Sequence, residues 1–141
     1  MPRPPVFADT SFFIALENKD DPYHDRAKKL DRELLKKKVL YVLHRGILLE
    51  VGDGYAKRDR RAKGVKLLAK IRSESGYQII SISDEIFAQA EELYEDRRDK
   101  EWGLTDCVSF VLMRAEGIRE ALASDKHFQQ AGFKALLLEI P

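Results

Sequence analysis

The sequence predicts an α/β fold, with one parallel sheet of about five strands covered by helices on both faces. Three observations carry this. Short apolar runs alternate with longer amphipathic stretches along all 141 residues. The runs are mostly β-branched or leucine-rich throughout, as expected of strands buried on both faces. The stretches between them are long enough for the crossover helices that parallel neighbours require.

The first strand is Val6–Asp9, after which Asp9-Thr10-Ser11 starts a helix with Thr10 or Ser11 as N-cap. A helix follows over Pro22–Lys38, with Tyr23, Ala27, Leu30 and Leu34 on one face. Val39–Leu43 is the second strand. The next helical segment carries Ile47, Leu48, Leu49, Glu50 and Val51, with Gly52 and Gly54 permitting close packing at its end. Arg60–Ser75 is helical around Leu67, Leu68 and Ile71, and Tyr77–Ile82 is the third strand. Ser83 caps a helix whose first turn holds Asp84 and Glu85, with Ile86, Ala90, Leu93 and Tyr94 facing inward. Another helix runs from about Thr105, its predicted cap, to Glu116, stopped by Gly117. Glu120–Ser124 is the fourth strand, Asp125 and Lys126 open a short helical piece ending at Gly132, and Ala135–Ile140 is the fifth strand.

No internal repeat, low-complexity tract or long linker interrupts this pattern, so residues 1–141 are expected to form one domain. No apolar run is long enough to span a bilayer. The single cysteine, Cys107, cannot form an internal disulfide, and no Cys/His cluster has zinc spacing. A cytoplasmic location is the expectation. Net charge is only +1, but the two halves differ sharply. Residues 1–70 hold 17 Lys+Arg against 10 Asp+Glu, and residues 71–141 hold 8 against 14. The basic half is densest at Lys57, Arg58, Arg60 and Arg61. It reads either as solvated helix surface or as the approach for a polyanion such as RNA.

Four carboxylates, Asp9, Glu50, Asp106 and Asp125, sit beside apolar segments, where unpaired acids are rare. Each has a plain alternative. Asp9 could be a turn or capping residue, Asp106 a first-turn acid favoured by the helix dipole, Asp125 a helix start, and Glu50 a partner of Arg45. Taken together they indicate a convergent acidic pocket, because Asp9 and Asp125 both follow strands whose carboxyl ends share one sheet edge. Clustered carboxylates repel unless a cation neutralises them, and hard oxygen donors favour Mg2+ or Mn2+. Phosphodiester hydrolysis suits such a site, with two ions roughly 3.5–4 Å apart in the two-metal form.

The segments Val6-Phe7-Ala8-Asp9-Thr10-Ser11, Gly46-Ile47-Leu48-Leu49-Glu50-Val51-Gly52, Leu104-Thr105-Asp106-Cys107 and Ala123-Ser124-Asp125-Lys126-His127-Phe128 resemble, in order and spacing, the four signature segments of PIN domains. Within that family the chain is most similar to the VapC-like ribonuclease toxins of type II toxin–antitoxin pairs. The resemblance implies a three-layer α/β/α sandwich, RNA cleavage with Mg2+ or Mn2+, a homodimer, and a VapB-like antitoxin partner. It implies that Asp9, Glu50, Asp106 and Asp125 are catalytic metal-binding acids, oriented by Ser11 and Ser124. Many members carry Thr near the position of His44-Arg45, so Arg45 is a candidate contact for the scissile phosphate. Ser124 stands where Thr is commoner and keeps the hydroxyl. Alternatives are a PIN nuclease of RNA processing outside any toxin pair, or a catalytically silent PIN-like interaction module. A phosphatase of the haloacid dehalogenase type is disfavoured, since it needs a second Asp where Ser11 stands.

Among the other conspicuous residues, His127 is either a surface histidine or a neighbour of the metal, and His24 and His44 read as surface or capping residues. Cys107 reads as a buried structural thiol. Trp102 reads as a packing anchor, with base stacking or a dimer seam as alternatives.

Overall fold

The computed structural model describes residues 3–139. Five strands form one wholly parallel sheet: β1 (Val6–Ala8), β2 (Tyr41–His44), β3 (Tyr77–Ile80), β4 (Glu120–Leu122) and β5 (Lys134–Ala135). Their spatial order is β3-β2-β1-β4-β5. The helices are α1 (Thr10–Glu17), α2 (His24–Lys36), α3 (Arg45–Gly54), α4 (Arg61–Ser73), α5 (Asp84–Asp96), α6 (Leu104–Glu116) and α7 (Lys126–Gln130). The chain thus leaves β1 towards β2 on one side and returns to pair β4 with β1 on the other. In such sheets the cleft beyond the strand ends at that switch is the natural site for chemistry.

The expected strand–helix alternation is present, and the differences have local causes. β2 begins later than Val39 and extends to His44, because His44 pairs with Ile80 of β3. Lys38 adopts a left-handed turn (φ 55°) before it. β3 ends at Ile80 and is only half-buried, as an edge strand. β5 is two residues long rather than Ala135–Ile140. After Ala135 the chain turns, with the Leu138 amide donating to the Ala135 carbonyl at 3.0 Å. Leu136 and Leu137 are buried in that turn, so their apolarity marks core cover rather than strand; Ile140 lies outside the described residues.

Helix ends follow their chemistry. Ser83 caps α5 through the Ile86 amide at 3.1 Å, and Gly117 ends α6 in the left-handed conformation (φ 68°), which glycine adopts without a Cβ clash. Ala90 is fully buried on α5, but Tyr94 points outward at 55% exposure. The expectation that Tyr94 faces inward is therefore corrected.

The core lies between sheet and helices. Phe7 of β1 meets Phe128 of α7 (ring centroids 6.0 Å apart), and Phe128 meets Phe110 of α6 edge-on at 5.1 Å. Trp102 packs edge-on against Phe110 at 5.0 Å, its indole N–H donating to Gln130 Oε1 at 3.0 Å. It is an anchor, with 5% of its surface exposed. Cys107 is a free, buried thiol, as expected. This aromatic stack fixes the starts of α6 and α7 against the end of β1.

Candidate functional site

Asp9 follows β1, and its amide donates to the Leu122 carbonyl of β4 at 3.1 Å, so it sits at the β1–β4 switch. Asp9 itself, not Thr10 or Ser11, is the N-cap of α1. Its Oδ2 accepts from the Ser11 amide at 3.2 Å and the Ser11 hydroxyl at 2.7 Å. Only 6% of Asp9 is exposed. Burial pushes its carboxyl up to about 7, the Ser11 bonds pull it down, and repulsion from Asp106 and Glu50 adds to the rise.

Ser11 also ties two elements together, because its Oγ accepts from the Ser124 amide at 3.1 Å. Ser124 takes part through this backbone N–H; among the described residues its hydroxyl makes no hydrogen bond. Ser11→Ala is expected to lower Mn2+ affinity roughly 10- to 100-fold, the usual scale for residues that orient a ligand. Titration calorimetry checks this, and unchanged affinity removes Ser11 from the site.

Asp106 lies in the first turn of α6, whose N-cap is Gly103 rather than Thr105. Its Oδ2 accepts from the Gly103 amide at 3.1 Å, half of a capping box. Its carboxyl is raised chiefly by burial; Gly103 opposes the rise, Asp125 adds to it and His127 opposes it. Asp125 follows β4 and is the N-cap of α7, accepting from the His127 amide at 2.9 Å. The capping alternatives for Asp9, Asp106 and Asp125 are therefore real. Capping also aims one carboxylate of each helix start at the same sheet edge.

Glu50 comes from the second turn of α3. It is exposed, at the border of the buried face formed by Ile47 and Val51, and its other neighbour Leu49 is 69% exposed. Its Oε1 accepts from the Thr10 hydroxyl at 2.7 Å, and no ion pair with Arg45 occurs among the described residues. Loss of solvent around the carboxylate raises it first; Thr10 opposes that rise, while Asp106, Asp125 and Asp53 increase it. Repulsion thus links all four acids into one electrostatic unit.

His127 joins them. Its Nδ1 lies 3.3 Å from Asp106 Oδ2 and 3.2 Å from Asp125 Oδ1. Donor atoms of Asp106, Asp125 and His127 all fall within 4.8 Å of one another, the only such trio among the described residues. This trio, with Asp9 and Glu50 nearby and with Asp9, Glu50 and Asp106 raised by burial and mutual repulsion, forms a donor set that suits a divalent cation.

Two supporting residues were not apparent in the sequence. His44 is fully buried, so its surface reading is corrected, but its capping role holds: Nδ1 accepts from the Gly46 amide at 3.0 Å. The other nitrogen therefore carries the proton and donates to Ser109 Oγ at 2.8 Å, and Ser109 donates on to the Thr105 carbonyl at 3.1 Å. This relay fastens the start of α3, which carries Glu50, to the start of α6, which carries Asp106. Gly46 leaves room for it, since a Cβ there would lie 2.7 Å from His44 Cε1. The usable signal was Ser109, a polar residue inside the apolar run Val108–Leu112. His24 is half-buried, its Nδ1 2.8 Å from the Ala15 carbonyl.

No ion pair joins the basic candidates to the four acids among the described residues. Arg45 is exposed at the first position of α3. Arg60 lines a cleft with Ile14, Glu17 and Tyr55, near the end of α1 away from Asp9. Arg61 donates to the Ala56 carbonyl at 3.2 and 2.8 Å, which closes its own loop. Lys57 and Arg58 are exposed in the turn before it.

The PIN domain family model matches residues 6–134. Over 130 residues the chain is 30% identical to the 23S rRNA-specific endonuclease VapC20 of Mycobacterium tuberculosis, from two strains, covering 91% of this chain and 95% of that protein. The crystal structure of Mycobacterium tuberculosis VapC20, described as a sarcin–ricin loop cleaving toxin, matches with a TM-score of 0.80 at 29% identity. That match also covers 91% of this chain and 95% of the other.

Proposed function

Because this chain belongs to the PIN domain family, we propose that it is a Mg2+- or Mn2+-dependent endoribonuclease, the toxin of a type II toxin–antitoxin pair. The observation that supports this reading is the close approach of Asp106, Asp125 and His127 beside the sheet edge, with Asp9 and Glu50 near enough to feel the charge of Asp106. Its likeness to a VapC endonuclease over nearly the whole length of both chains supports RNA as the substrate class. Retention of all four acids weighs against a silent interaction module.

In this reading Asp9, Asp106 and Asp125, with Glu50, hold the divalent cation, which supplies water activation and charge neutralisation at the phosphodiester. The chain's own residues do the positioning. Ser11 holds Asp9 with two donors, Gly103 holds Asp106, the α7 amide of His127 holds Asp125, and Thr10 holds Glu50. The starts of α1, α6 and α7 meet at this edge, and helix N-termini favour anions, both the carboxylates and an incoming phosphate. Arg45, Lys57, Arg58, Arg60 and Arg61 supply a basic approach for the RNA backbone at a distance from the reacting bond. A VapB-like antitoxin, a homodimeric state and a cytoplasmic location belong to the same reading; no helix among the described residues is long and apolar enough to cross a membrane.

The substrate of the VapC20 relative makes a sarcin–ricin loop RNA the first one to assay. Cleavage is expected with Mn2+ or Mg2+, leaving 5′-phosphate and 3′-hydroxyl ends, and chelation is expected to stop it. Asp106→Asn is expected to reduce the rate roughly 100- to 1,000-fold with the fold intact by circular dichroism, the scale for weakening the electrostatic stabilisation that the held ion would supply. Full activity in an Asp9→Asn, Asp106→Asn double variant sinks the proposal.

A further inference from the structure

We propose that His127 is itself a ligand of the metal centre, so that the site is a mixed carboxylate–imidazole centre rather than a purely oxygen one. This rests on the metal-dependent reading above. It is carried by the placement of one atom, His127 Nδ1.

That atom lies almost equally far from two carboxylate oxygens, 3.3 Å from Asp106 Oδ2 and 3.2 Å from Asp125 Oδ1. Neither oxygen is free to swing away. Asp106 Oδ2 is held by the Gly103 amide, and Asp125 Oδ1 by the amide of His127. The imidazole is restrained as well, because His127 lies in a helix whose next residue, Phe128, is fully buried. Its side chain is only 19% exposed.

A ring nitrogen facing two fixed carboxylate oxygens needs something between them, either a ring N–H donated to the acids or a cation shared by the three donors. The spacing fits the cation. Adjacent ligands of an octahedral ion with bonds of 2.0–2.1 Å lie about 3 Å apart, close to both observed separations. Asp9 and Glu50 stand outside the trio, contributed by the start of α1 and by α3.

The chemical consequence is selectivity. Imidazole is a borderline donor that first-row transition ions accept more readily than Mg2+, which prefers oxygen. The centre therefore favours Mn2+ over Mg2+ more strongly than four carboxylates alone would.

The test is pulsed electron paramagnetic resonance on the wild-type protein loaded with one equivalent of Mn2+ at neutral pH. Nitrogen-14 modulation with the coupling of a directly bound imidazole is expected, and it is expected to vanish in His127→Ala. By titration, that variant is expected to lose at least the roughly 10-fold in Mn2+ affinity that removal of a merely orienting residue costs, and clearly less in Mg2+ affinity. The Asp125 cap on α7 remains in the variant, and circular dichroism verifies its fold. Bound Mn2+ without nitrogen modulation overturns the assignment of His127 while leaving the carboxylate centre intact. Failure of the wild-type protein to bind Mn2+ overturns both the assignment and the metal-dependent reading.

Discussion

Asp9→Asn is expected to melt above the wild-type protein in metal-free buffer at pH 8, and below it once Mn2+ is added. Burial raises the Asp9 carboxyl from its ordinary 3.8 to about 7. The folded protein therefore holds a proton there that the unfolded chain releases. Stability falls as pH rises from about 4 to about 7, and it stays low above that, by up to about 4 kcal/mol. Asparagine removes this charge while its side-chain oxygen can still accept from the Ser11 amide and hydroxyl. The gain in melting temperature is expected to be on the order of 10 °C. Metal reverses the order once it exceeds about a thousand times its dissociation constant, because a bound ion at that excess already adds about 4.1 kcal/mol to a protein that holds it, matching the cost of the carboxylate. Differential scanning calorimetry at pH 5 and 8, with and without Mn2+, reads both signs. Equal melting of the two proteins in metal-free buffer at pH 8 contradicts a strained Asp9 carboxylate.

His44→Ala is expected to cost about 2–5 kcal/mol at pH 7, the range for emptying a core position. It removes the cap on the Gly46 amide and leaves Ser109 without its donor. The cost depends on pH in a defined direction. Burial pushes the His44 imidazole down from 6.5 to about 4, so the fold favours the neutral ring. The unfolded chain binds the extra proton between those values. The advantage of histidine over alanine is thus complete above about pH 6.5 and shrinks as pH falls towards 4, by up to about 3 kcal/mol. Urea unfolding of both proteins across pH 4–7.5 isolates this contribution, because Asp9 and the other acids are common to both. A difference that stays constant with pH is incompatible with a buried neutral His44. Loosening of α3 against α6 is expected to weaken metal binding in the same variant.

The alternation of elements was legible because apolar periodicity is a local property. β1, α6 and the Ser83-capped α5 all appear within a residue or two of expectation. The Leu136–Leu138 run misled, since apolarity reports burial and not extended backbone. The acids were legible for a related reason: three of them stand where an apolar element meets a helix start, a pattern that can be read from neighbours in sequence. Capping was nevertheless assigned to the wrong residues twice. Thr10, Ser11 and Thr105 all have the right chemistry, and only the backbone angles at Asp9 and Gly103 settle which residue lies just outside the helix.

By itself the sequence determined the α/β class and the chain order of the four acids. Tertiary structure alone decided that His127 faces both Asp106 and Asp125, that Glu50 is exposed and held by Thr10, and that His44 is buried as a brace between α3 and α6. The physical reason is distance along the chain. His44 and Ser109 are 65 residues apart, and Ser11 and Ser124 are 113 apart. Their contacts exist only once the β1–β4 pairing and the aromatic stack have fixed the helix starts at one edge, and no local periodicity encodes that meeting.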